Sequence, residues 1–529
     1  MAHPGGPSTR EAGCACRAQA PDTTEWGSVN QPRPRIVIIG GGPGGYEAAL
    51  VAAQLGAEVT VVERDGLGGA CVLSDCVPSK TLIATSGLMA SLEGSAALGI
   101  RLDGTAPAGP APDGTAFAGP APDGTPPAGP APDGTPPAGP APAGMARAAV
   151  DAPRLYSRVK ALAAAQSADV ASRLAAEGIK VLAGTARLTG SRAVAVGDNE
   201  ISADIVLIAT GAKPRILPGA VPDGDRVLTC RQLYDLAELP SDLIIVGSGV
   251  TGAEFASAYQ ALGSQVTLVS SRDRVLPQED ADAAVVVEEV FRRRGMTVLG
   301  RSRATEVRRT ASGVTVILAD GRSVHGSHCL LTVGMVPGTS GLGLEQAGIT
   351  LDGGGFVPVD RVSRTSAPGV YAAGDCTGVM MLASVAAMQG RIAMWHALGE
   401  AVQPIRLSHV AATIFTEPEI ATVGITQRAV DAGQVDALVV KLPLATNARA
   451  KMQGFRDGFI KLFARRGSGI VLGGVVVAPR ASELILAVSL AVEQLLTVDQ
   501  MAHTFAVYPS LSGSLTEAAR RLMRPAEDV

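Results

Sequence analysis

Short apolar runs and amphipathic segments alternate along most of the chain. Residues 35–39 form an apolar run that predicts a buried strand, 46–55 have helical spacing, and 58–62 predict a second strand. The same order of strand, helix and strand returns between 243 and 269. Because repeated units of this kind build parallel sheets, the pattern predicts an α/β architecture.

The last part of the chain, about 406–529, has a different pattern. Apolar runs at 458–464 and 469–478 are followed by a helical segment over 483–496. Consecutive strands followed by a helix predict an α+β unit of its own. No run in the chain reaches the roughly 18 consecutive apolar residues of a membrane-spanning helix, so the sequence predicts no transmembrane segment.

Two segments lack any such pattern. Residues 103–142 are four decapeptides of the type DGTPPAGPAP, which together hold 8 Gly and 13 Pro and only one large apolar residue, Phe117. A segment of this composition cannot bury enough surface to offset the entropy lost on ordering. We therefore predict a flexible, partly polyproline-II insertion. Residues 1–34 have a similar composition and predict a disordered tail.

Charge and cysteine content narrow the function further. The chain has 45 basic and 49 acidic residues and a net charge of −4, so it has no basic excess to bind nucleic acid. Seven cysteines, an odd number, favour a reducing compartment, and the first residues contain no apolar secretory segment. We expect a cytoplasmic protein. Cys14 and Cys16 have no further ligands nearby in sequence, so no metal site is predicted.

The first strand leads directly into a glycine-rich loop, Gly40-Gly41-Gly42-Pro43-Gly44-Gly45. This is G-x-G-x-x-G between a strand and a helix. The first glycine permits the tight turn, the second lets the backbone approach a pyrophosphate, and the third lets the helix pack on the strand. Glu63, at the end of the second strand, is placed to accept hydrogen bonds from both ribose hydroxyls of an adenosine. The arrangement predicts a dinucleotide site.

A second fingerprint follows the strand at 243–246, with Gly247, Gly249 and Gly252 in the three glycine positions. Two fingerprints at matched spacing are far more specific than one. The position of Glu63 is taken here by Ser270. Without an acid the site does not repel a 2′-phosphate, and Ser271, Arg272 and Arg274 are placed to bind one. We predict that this site accepts NADPH as well as NADH.

Between the fingerprints, Cys71 and Cys76 lie in the segment Gly68–Lys80, which reads GGACVLSDCVPSK. If the segment is helical, one turn separates the two sulfurs, which could then face one side. The segment resembles the cysteine element of the pyridine nucleotide-disulfide oxidoreductases, the flavoproteins that include dihydrolipoamide dehydrogenase and glutathione reductase. Ala209-Thr210-Gly211 and Tyr371-Ala372-Ala373-Gly374-Asp375 are similar to the family's FAD elements.

The resemblance implies two Rossmann-like dinucleotide-binding domains, for FAD and NAD(P), plus a C-terminal α+β dimerisation domain. The expected boundaries are 35–102 with 143–227 for the first part of the FAD domain, 228–340 for the NAD(P) domain, 341–405 for the second part of the FAD domain, and 406–529 for the dimerisation domain. The resemblance also implies a homodimer.

The same resemblance assigns the site residues. Lys80 would lie near flavin N5 and pair with Glu254, and a cation there favours the reduced, anionic flavin. With Cys71 and Cys76, these two form the expected catalytic set. The remaining FAD contacts would come from Gly40, Gly42, Pro43, Gly44, Gly45, Glu63, Gly184, Ala186, Thr210, Gly211, Asp375 and Ala383. The nicotinamide nucleotide would be held by Gly247, Gly249, Gly252, Ser270, Ser271, Arg272 and Gly334.

Two features, at three positions, depart from the disulfide reductases of the family. Thiol chemistry needs a base, which the family supplies from a C-terminal H-P-x-x-x-E motif of the partner subunit. Here that motif reads Tyr508 to Gly513, and a tyrosine with a pKa near 10 is a poor base at neutral pH. His503 could take this role only if the backbone were rearranged. Val250 stands where glutathione reductase-like members carry a tyrosine lid over the nicotinamide.

This combination resembles an actinobacterial subgroup of lipoamide dehydrogenase-like NAD(P)H:quinone reductases. The leading expectation is therefore an FAD-dependent NAD(P)H:quinone oxidoreductase, in which the quinone takes electrons directly from the flavin. The alternative is a disulfide reductase of the dihydrolipoamide dehydrogenase type that uses Cys71 and Cys76. A non-catalytic FAD-bound scaffold, with the repeats as its binding arm, is a third reading.

Overall fold

The computed structural model describes residues 33–100 and 149–523. The predicted tail, apart from Arg33 and Pro34, and the decapeptide repeats lie outside these residues. In the described part the helices are α1 (Pro43–Gln54), α2 (Gly69–Leu73), α3 (Cys76–Gly94), α4 (Ala152–Ala176), α5 (Val250–Leu262), α6 (Ala281–Arg293), α7 (Ala383–Ala397), α8 (Gln427–Asp431), α9 (Ala448–Met452), α10 (Ala481–Glu493), α11 (Val498–Ala502) and α12 (Gly513–Leu522).

The described part of the chain also contains strands on both sides of the second glycine loop. They are β1 (Arg35–Ile39), β2 (Glu58–Glu63), β3 (Lys180–Ala183), β4 (Ala186–Gly190), β5 (Ala193–Val196), β6 (Asn199–Ser202), β7 (Ile205–Ile208), β8 (Ala212–Pro214), β9 (Val227–Thr229), β10 (Asp242–Val246), β11 (Gln265–Val269), β12 (Thr297–Leu299), β13 (Ala304–Arg309), β14 (Val314–Leu318), β15 (Ser323–Gly326), β16 (His328–Leu331), β17 (Met335–Pro337), β18 (Val370–Ala372), β19 (Ala412–Ile414), β20 (Glu419–Gly424), β21 (Ala437–Pro443), β22 (Phe459–Arg465) and β23 (Val471–Ala478).

Two parallel five-stranded sheets carry the glycine loops. The first has the order β18-β7-β1-β2-β3 and the second the order β12-β11-β10-β16-β9. Strands β1 and β10 are central, are flanked on both sides by parallel neighbours, and are buried from their second residue onward. Burial on both faces explains why both strands are continuous apolar runs. The predicted α/β architecture is confirmed.

The third large sheet is antiparallel, with the order β19-β20-β23-β22-β21. Helices α10 and α12 pack on it through their apolar faces, and the shared core includes Leu462, Val476, Val488 and Leu515. This is the α+β unit that the change of pattern predicts. Three smaller antiparallel sheets have the orders β4-β5-β6, β13-β14-β15 and β17-β8.

Helices α1 and α7 cross closely beside the first sheet because both present glycine at the crossing. A Cβ atom on Gly390 would lie 2.1 Å from the backbone oxygen of Gly44. Since real Cβ atoms do not approach an oxygen so closely, only glycine fits there. The close packing fixes the N-termini of the two helices next to the carboxyl ends of β1 and β18. Among the described residues, no helix is both long and apolar enough to cross a membrane.

Candidate functional site

The loop after β1 has the geometry that its three glycines predict. Gly40 has φ +106°, and a Cβ on it would lie 2.3 Å from the backbone oxygen of Ala209. A Cβ on Gly45 would lie 1.9 Å from the oxygen of Gly40. The nearest neighbour of a Cβ on Gly42, by contrast, is 4.0 Å away. The outer glycines therefore close the turn, while Gly42 leaves space for a ligand to approach the backbone.

Glu63 closes one side of this loop. Its Oε2 accepts a hydrogen bond from the amide of Gly41 at 2.6 Å, and Oε1 accepts from the amides of Arg64 and Asp65, both at 2.7 Å. A carboxylate oxygen accepts more than one hydrogen bond. The amides therefore fix the orientation of Glu63 and leave its oxygens with capacity to accept ribose hydroxyls.

A cleft of about 730 Å³ opens at the carboxyl ends of the first sheet. We call it the first-sheet cleft. Thirteen of the predicted site residues line it: Gly40, Gly42, Pro43, Gly44, Glu63, Cys71, Cys76, Gly184, Ala186, Thr210, Gly211, Asp375 and Ala383. Ligands of open α/β sheets bind at this edge. The fold thus gathers in one place residues that are more than 300 positions apart.

The donor set of the first-sheet cleft fits a dinucleotide such as FAD. Helices α1 and α7 both begin at the cleft, and neither N-terminus is capped by a side chain, since Gly42 and Leu382 occupy the N-cap positions. Free amides at a helix N-terminus bind anions such as a pyrophosphate. Burial, with a contribution from the charge of Asp75, raises the pKa of Asp375 to about 6. Asp375 therefore ionises within the physiological range and offers a carboxylate to hydroxyl groups.

The second fingerprint repeats the geometry of the first. Gly247 has φ +113°, and a Cβ on it would lie 2.3 Å from the backbone oxygen of Thr332. A Cβ on Gly252 would lie 1.9 Å from the oxygen of Gly247, whereas a Cβ on Gly249 meets nothing within 4 Å. Helix α5 has Gly249 as its N-cap and no side-chain cap. This loop has the same free amides and open glycine as the first.

Ser270 is placed differently from Glu63. It is fully buried, and its hydroxyl is hydrogen-bonded to the hydroxyl of Ser248 at 2.7 Å and accepts from the amide of Arg272 at 3.1 Å. The hydroxyl thus shapes the loop after β11. Ser271, Arg272 and Arg274 are exposed. The charges at this end of the site are therefore carried by side chains that reach into solvent.

Cys71 and Cys76 lie on two helices rather than on one. The segment breaks at Ser74 and Asp75, so that Cys71 is in α2 and Cys76 is the first residue of α3. Both thiols line the first-sheet cleft, and both are free. The hydrogen bond to Cys76, with burial, raises the pKa of the Cys71 thiol well above its ordinary value. The same bond lowers the pKa of Cys76, against burial and the charge of Asp75.

Lys80 and Glu254 form an ion pair between α3 and α5, as the resemblance implies. Lys80 Nζ lies 2.8 Å from Glu254 Oε2, and Glu254 Oε1 accepts from the amide of Phe415 at 2.9 Å. The side chain of Glu254 is only 5% exposed. Although burial disfavours the charged form, Glu254 more than compensates and raises the pKa of Lys80. Lys80 is thus held as a cation one helical turn after Cys76.

Several predicted residues lie outside the wall of the first-sheet cleft. Gly45 packs against Gly40, and Gly334 precedes β17, where its carbonyl accepts from the amide of Arg215 at 2.9 Å. The others outside the wall are Lys80, Glu254, Gly247, Gly249, Gly252, Ser270, Ser271 and Arg272. The structure adds Asp75 and Arg231 to the wall. An acid beside Cys76 was visible in the sequence, whereas Arg231 follows a short strand and carries no local signal.

The C-terminal positions at which the family carries its base and acid hold neither group here. The side chain of Tyr508 is exposed, and Gly513 is the first residue of α12. His503 is exposed and turns back onto its own helix, where Nδ1 lies 2.8 Å from the backbone oxygen of Asp499. The Oδ1 atom of Asp499, one turn earlier, lies 3.5 Å from the same Nδ1. Positions 508 and 513 themselves hold neither a histidine nor an acid.

Comparison with known families decides the relationship. The model described as pyridine nucleotide-disulphide oxidoreductase matches residues 34–390, and the dimerisation domain of the same group matches 410–519. The chain belongs to the pyridine nucleotide-disulphide oxidoreductase family. This confirms the resemblance inferred from the cysteine element, and with it the fold class of two Rossmann-like units and a C-terminal dimerisation unit.

Individual relatives are similar over nearly the whole chain. An NAD(P)H dehydrogenase (quinone) of Mycobacterium tuberculosis is 54% identical over 503 residues, which cover 92% of this chain and 94% of the relative. The crystal structure of LpdA from the same organism has a TM-score of 0.81 and 53% identity, covering 93% of this chain and all of that one. A dihydrolipoyl dehydrogenase of Bacillus subtilis is 32% identical over 490 residues, 91% of this chain and 97% of the relative.

Proposed function

We propose that this protein is an FAD-dependent NAD(P)H:quinone oxidoreductase. The observation that carries the proposal is the pair Tyr508 and Gly513, which replaces the base and acid that thiol chemistry requires. The relative that is 54% identical is named NAD(P)H dehydrogenase (quinone), which supports the same activity. Electrons then enter from the nicotinamide and leave without passing through a thiol.

The residues of the first-sheet cleft would hold FAD, and the second glycine loop would hold the nucleotide. The uncapped N-terminus of α1 would bind the pyrophosphate beside Gly42, and Glu63 would accept hydrogen bonds from the ribose. Asp375 would accept from the ribityl chain. FAD held there would supply two-electron transfer between NAD(P)H and the quinone. Lys80, held as a cation by Glu254, would stabilise negative charge on the flavin.

The domain boundaries given by the sequence follow from this assignment. We assign 35–102, 143–227 and 341–405 to FAD binding because strand β18 returns to the sheet of β1. Residues 228–340 would bind NAD(P), since they include β10, β11 and α5. Residues 406–529 would form the dimerisation domain.

The C-terminal unit would pair with a second copy of the chain. Its surface exposes the large apolar side chains of Leu486, Leu490, Leu495, Phe505 and Val507. Exposed apolar surface of this extent is typical of an interface, and the family model for this region is a dimerisation domain. We propose a homodimer.

The odd cysteine number, together with the free cysteines Cys71, Cys76, Cys230, Cys329 and Cys376, favours the cytoplasm.

The decisive experiment compares quinone and disulfide substrates in the parent and in Cys71→Ala. We expect NAD(P)H-dependent menadione reduction in the variant to remain within about fivefold of the parent, because the thiols carry no electrons in this scheme. Reduction of lipoamide should be slow in both proteins. Buried Cys329→Ala is a matched control for loss of one thiol. A thousand-fold loss of menadione reduction in Cys71→Ala alone would contradict the proposal.

A disulfide reductase of the dihydrolipoamide dehydrogenase type is the second candidate. It is favoured by one specific observation: both thiols line the first-sheet cleft, and their mutual interaction raises the pKa of Cys71 and lowers that of Cys76. In such a pair the thiol with the lowered pKa is the more reactive one, and the other stays protonated. Lipoamide reduction faster than menadione reduction, and lost in Cys71→Ala, would establish this candidate instead.

A further inference from the structure

The residue between the first two glycines of the fingerprint differs between the two loops. It is Gly41 in the first loop and the buried Ser248 in the second. Both have the same backbone contact, since the carbonyl of Gly41 accepts from the amide of Gly68 at 2.8 Å and that of Ser248 accepts from the amide of Leu276 at 2.9 Å. At this position the loops therefore differ by a side chain and not by the path of the backbone.

In the first loop, the carboxylate of Glu63 uses the space that Gly41 leaves free. Its Oε2 accepts from the amide of Gly41 at 2.6 Å. A Cβ on Gly41 would lie 3.1 Å from this oxygen, 3.3 Å from Glu63 Cγ and 2.9 Å from Leu67 Cδ2. The two carbon–carbon distances are shorter than the optimal separation of about 3.5–4.0 Å. A side chain at this position would therefore press on the carboxylate.

In the second loop, the side chain of Ser248 takes this space, and the residue at the end of β11 is short. Ser248 Oγ donates to Ser270 Oγ at 2.7 Å, and both side chains are buried. Because the two backbones match, the Cβ of Ser248 lies where the carboxylate of a glutamate at position 270 would need space. A side chain at 248 and a ribose-binding acid at 270 therefore compete for one place.

The hydroxyl of Ser270 has no capacity left for a nucleotide. A serine hydroxyl donates once and accepts twice. Ser270 Oγ accepts from Ser248 Oγ at 2.7 Å and from the amide of Arg272 at 3.1 Å. Its own proton goes to a backbone oxygen, that of Arg272 at 3.1 Å or that of Arg274 at 3.3 Å. Ser270 therefore acts on the nucleotide through the loop that follows it.

Ser248 holds both ends of that loop. Residues 271–274, which we call the arginine loop, are all exposed and include Arg272 and Arg274. Ser248 reaches the start of the loop through its hydroxyl, by the bond to Ser270, and the residues after it through its carbonyl, by the bond to Leu276. A guanidinium binds a phosphate best when its direction of approach is fixed. The hydroxyl pair thus orients the groups that would bind a 2′-phosphate.

We infer that Ser248 is a specificity-determining positioning residue of the nucleotide site. Its Cβ excludes a ribose-binding carboxylate at position 270, and its hydrogen bonds hold the arginine loop for the 2′-phosphate of NADPH. The inference rests on the proposed use of NAD(P)H and deepens it. Residues 248 and 270 select the nucleotide as a coupled pair, so a change at the end of β11 alone does not convert the site.

Two probes without a nicotinamide test the inference in the absence of turnover. ADP-ribose and 2′-phospho-ADP-ribose differ only in the 2′-phosphate, and isothermal titration calorimetry of the full-length, FAD-loaded protein gives a dissociation constant for each. In Ser270→Glu we expect both probes to bind more weakly than in the parent by roughly tenfold or more, because the new side chain meets the Cβ of Ser248 and displaces the loop.

The double variant Ser248→Gly/Ser270→Glu should behave differently. With the space restored, we expect ADP-ribose to bind within about threefold of the parent, because the carboxylate can accept from the ribose hydroxyls. The affinity for 2′-phospho-ADP-ribose should stay lower than in the parent by roughly tenfold or more, since an acid at this position repels the phosphate.

Alanine at position 248 separates the effect of the Cβ from that of the hydroxyl. Ser248→Ala/Ser270→Glu keeps the Cβ and should bind ADP-ribose as weakly as Ser270→Glu. Ser248→Ala alone removes one hydrogen bond and should weaken 2′-phospho-ADP-ribose by roughly three- to tenfold. Ser264→Ala is the matched control and should equal the parent, because Ser264 is buried in the same unit and its hydroxyl has no partner among the described residues.

FAD absorbance and thermal unfolding report the integrity of each variant. If Ser270→Glu does not fold, Ser270→Asp replaces it throughout, because aspartate keeps the carbon that meets the Cβ. Equal affinity of Ser270→Glu and the glycine double variant for ADP-ribose, or of the glycine and alanine double variants, would overturn the inference, as would unchanged binding of 2′-phospho-ADP-ribose in Ser248→Ala. A parent that binds both probes and does not reduce menadione would contradict the proposed function alone.

Discussion

At the scale of single residues, the carboxylates of the first-sheet cleft differ because their environments differ. Glu63 is held by backbone amides that fix its orientation. Within residues 33–100 and 149–523 Asp375 has no such set of donors, and burial raises its pKa to about 6. The two acids are therefore suited to different tasks, one to a permanent contact and the other to a contact that depends on pH.

The raised pKa of Asp375 predicts a pH-dependent affinity for FAD. Because a carboxylate accepts hydrogen bonds that a protonated acid loses, the affinity of the FAD-free protein should fall as the pH decreases through about 6. The folding stability of the FAD-free protein changes with pH in the opposite direction to the affinity. Because the folded-state pKa lies above the ordinary 3.8, the contribution of Asp375 to stability decreases as the pH rises toward 6.

Quenching of FAD fluorescence between pH 5 and pH 7.5 measures this affinity. We expect Asp375→Asn to bind FAD more weakly and with a flatter pH profile than the parent. An equally steep profile in the variant would assign the pH dependence to another group.

Arg272 predicts the nucleotide preference at the second site. Its guanidinium is exposed, whereas Ser270, in the position of Glu63, is buried and used by the loop. If Arg272 binds the 2′-phosphate, Arg272→Ala should lower kcat/KM for NADPH by roughly tenfold or more and leave NADH within a few-fold. Arg301→Ala removes a neighbouring arginine that pairs with Asp273 and should change neither value. A strong preference of the parent for NADH would remove the basis of the prediction.

At the scale of elements, the two strand-loop-helix units are copies of one another in their backbone contacts. The Cβ distances at the first and third glycines are the same in both loops, 2.3 and 1.9 Å, although the neighbouring sequences differ. The contacts lie between backbone atoms, so they depend on the absence of side chains at these glycines and not on the identity of the neighbours. The middle glycines, Gly42 and Gly249, are free of such contacts.

Because the middle glycines have free space around them, we expect substitutions there to weaken nucleotide binding without affecting folding. A methyl group on Gly249, with φ −73°, meets nothing within 4 Å, so Gly249→Ala should fold normally but obstruct the pyrophosphate. We expect KM for NAD(P)H to rise by roughly tenfold with FAD content unchanged. Gly42→Ala is the matched variant and should lose FAD instead. Equal effects of both changes on FAD content would contradict the assignment of one nucleotide to each loop.

At the scale of the whole molecule, the C-terminal unit exposes apolar surface that a single chain does not cover. Leu486 and Leu490 lie one turn apart on α10 and are 60% and 53% exposed, while the opposite face of the helix packs on the antiparallel sheet. A helix with two apolar faces is suited to lie between two layers, and the second layer is the proposed partner subunit.

Charges on this face should disrupt the dimer. We expect the double variant Leu486→Glu/Leu490→Glu to sediment as a monomer in analytical ultracentrifugation at concentrations at which the parent is a dimer, because each carboxylate would be desolvated on pairing. Val285→Glu, at an exposed apolar position of α6, is the control and should leave the dimer intact. A monomeric parent would refute the homodimer itself.

The sequence by itself determined the two nucleotide-binding units, because the glycine loops depend on local backbone geometry and the apolar strands on burial from both sides. The contacts of Gly40 with Ala209 and of Gly247 with Thr332 are long-range, but the glycine spacing already requires them. The start of the first helix differs little between sequence and structure: helical spacing indicated residue 46, and α1 begins at Pro43. Proline at the first helical position accounts for the earlier start.

Only the tertiary structure decided how the chemistry of the thiols is controlled. If the segment were helical throughout, Cys71 and Cys76 would share one helix, whereas the chain breaks at Ser74 and Asp75 and places the two cysteines on α2 and α3. The largest influence on the pKa of each thiol is the other thiol, followed by burial, but Asp375 also raises the pKa of Cys71 and Glu254 that of Cys76. Both acids come to this region from distant parts of the chain. Charge acts through space, so no local pattern of residues could supply these effects.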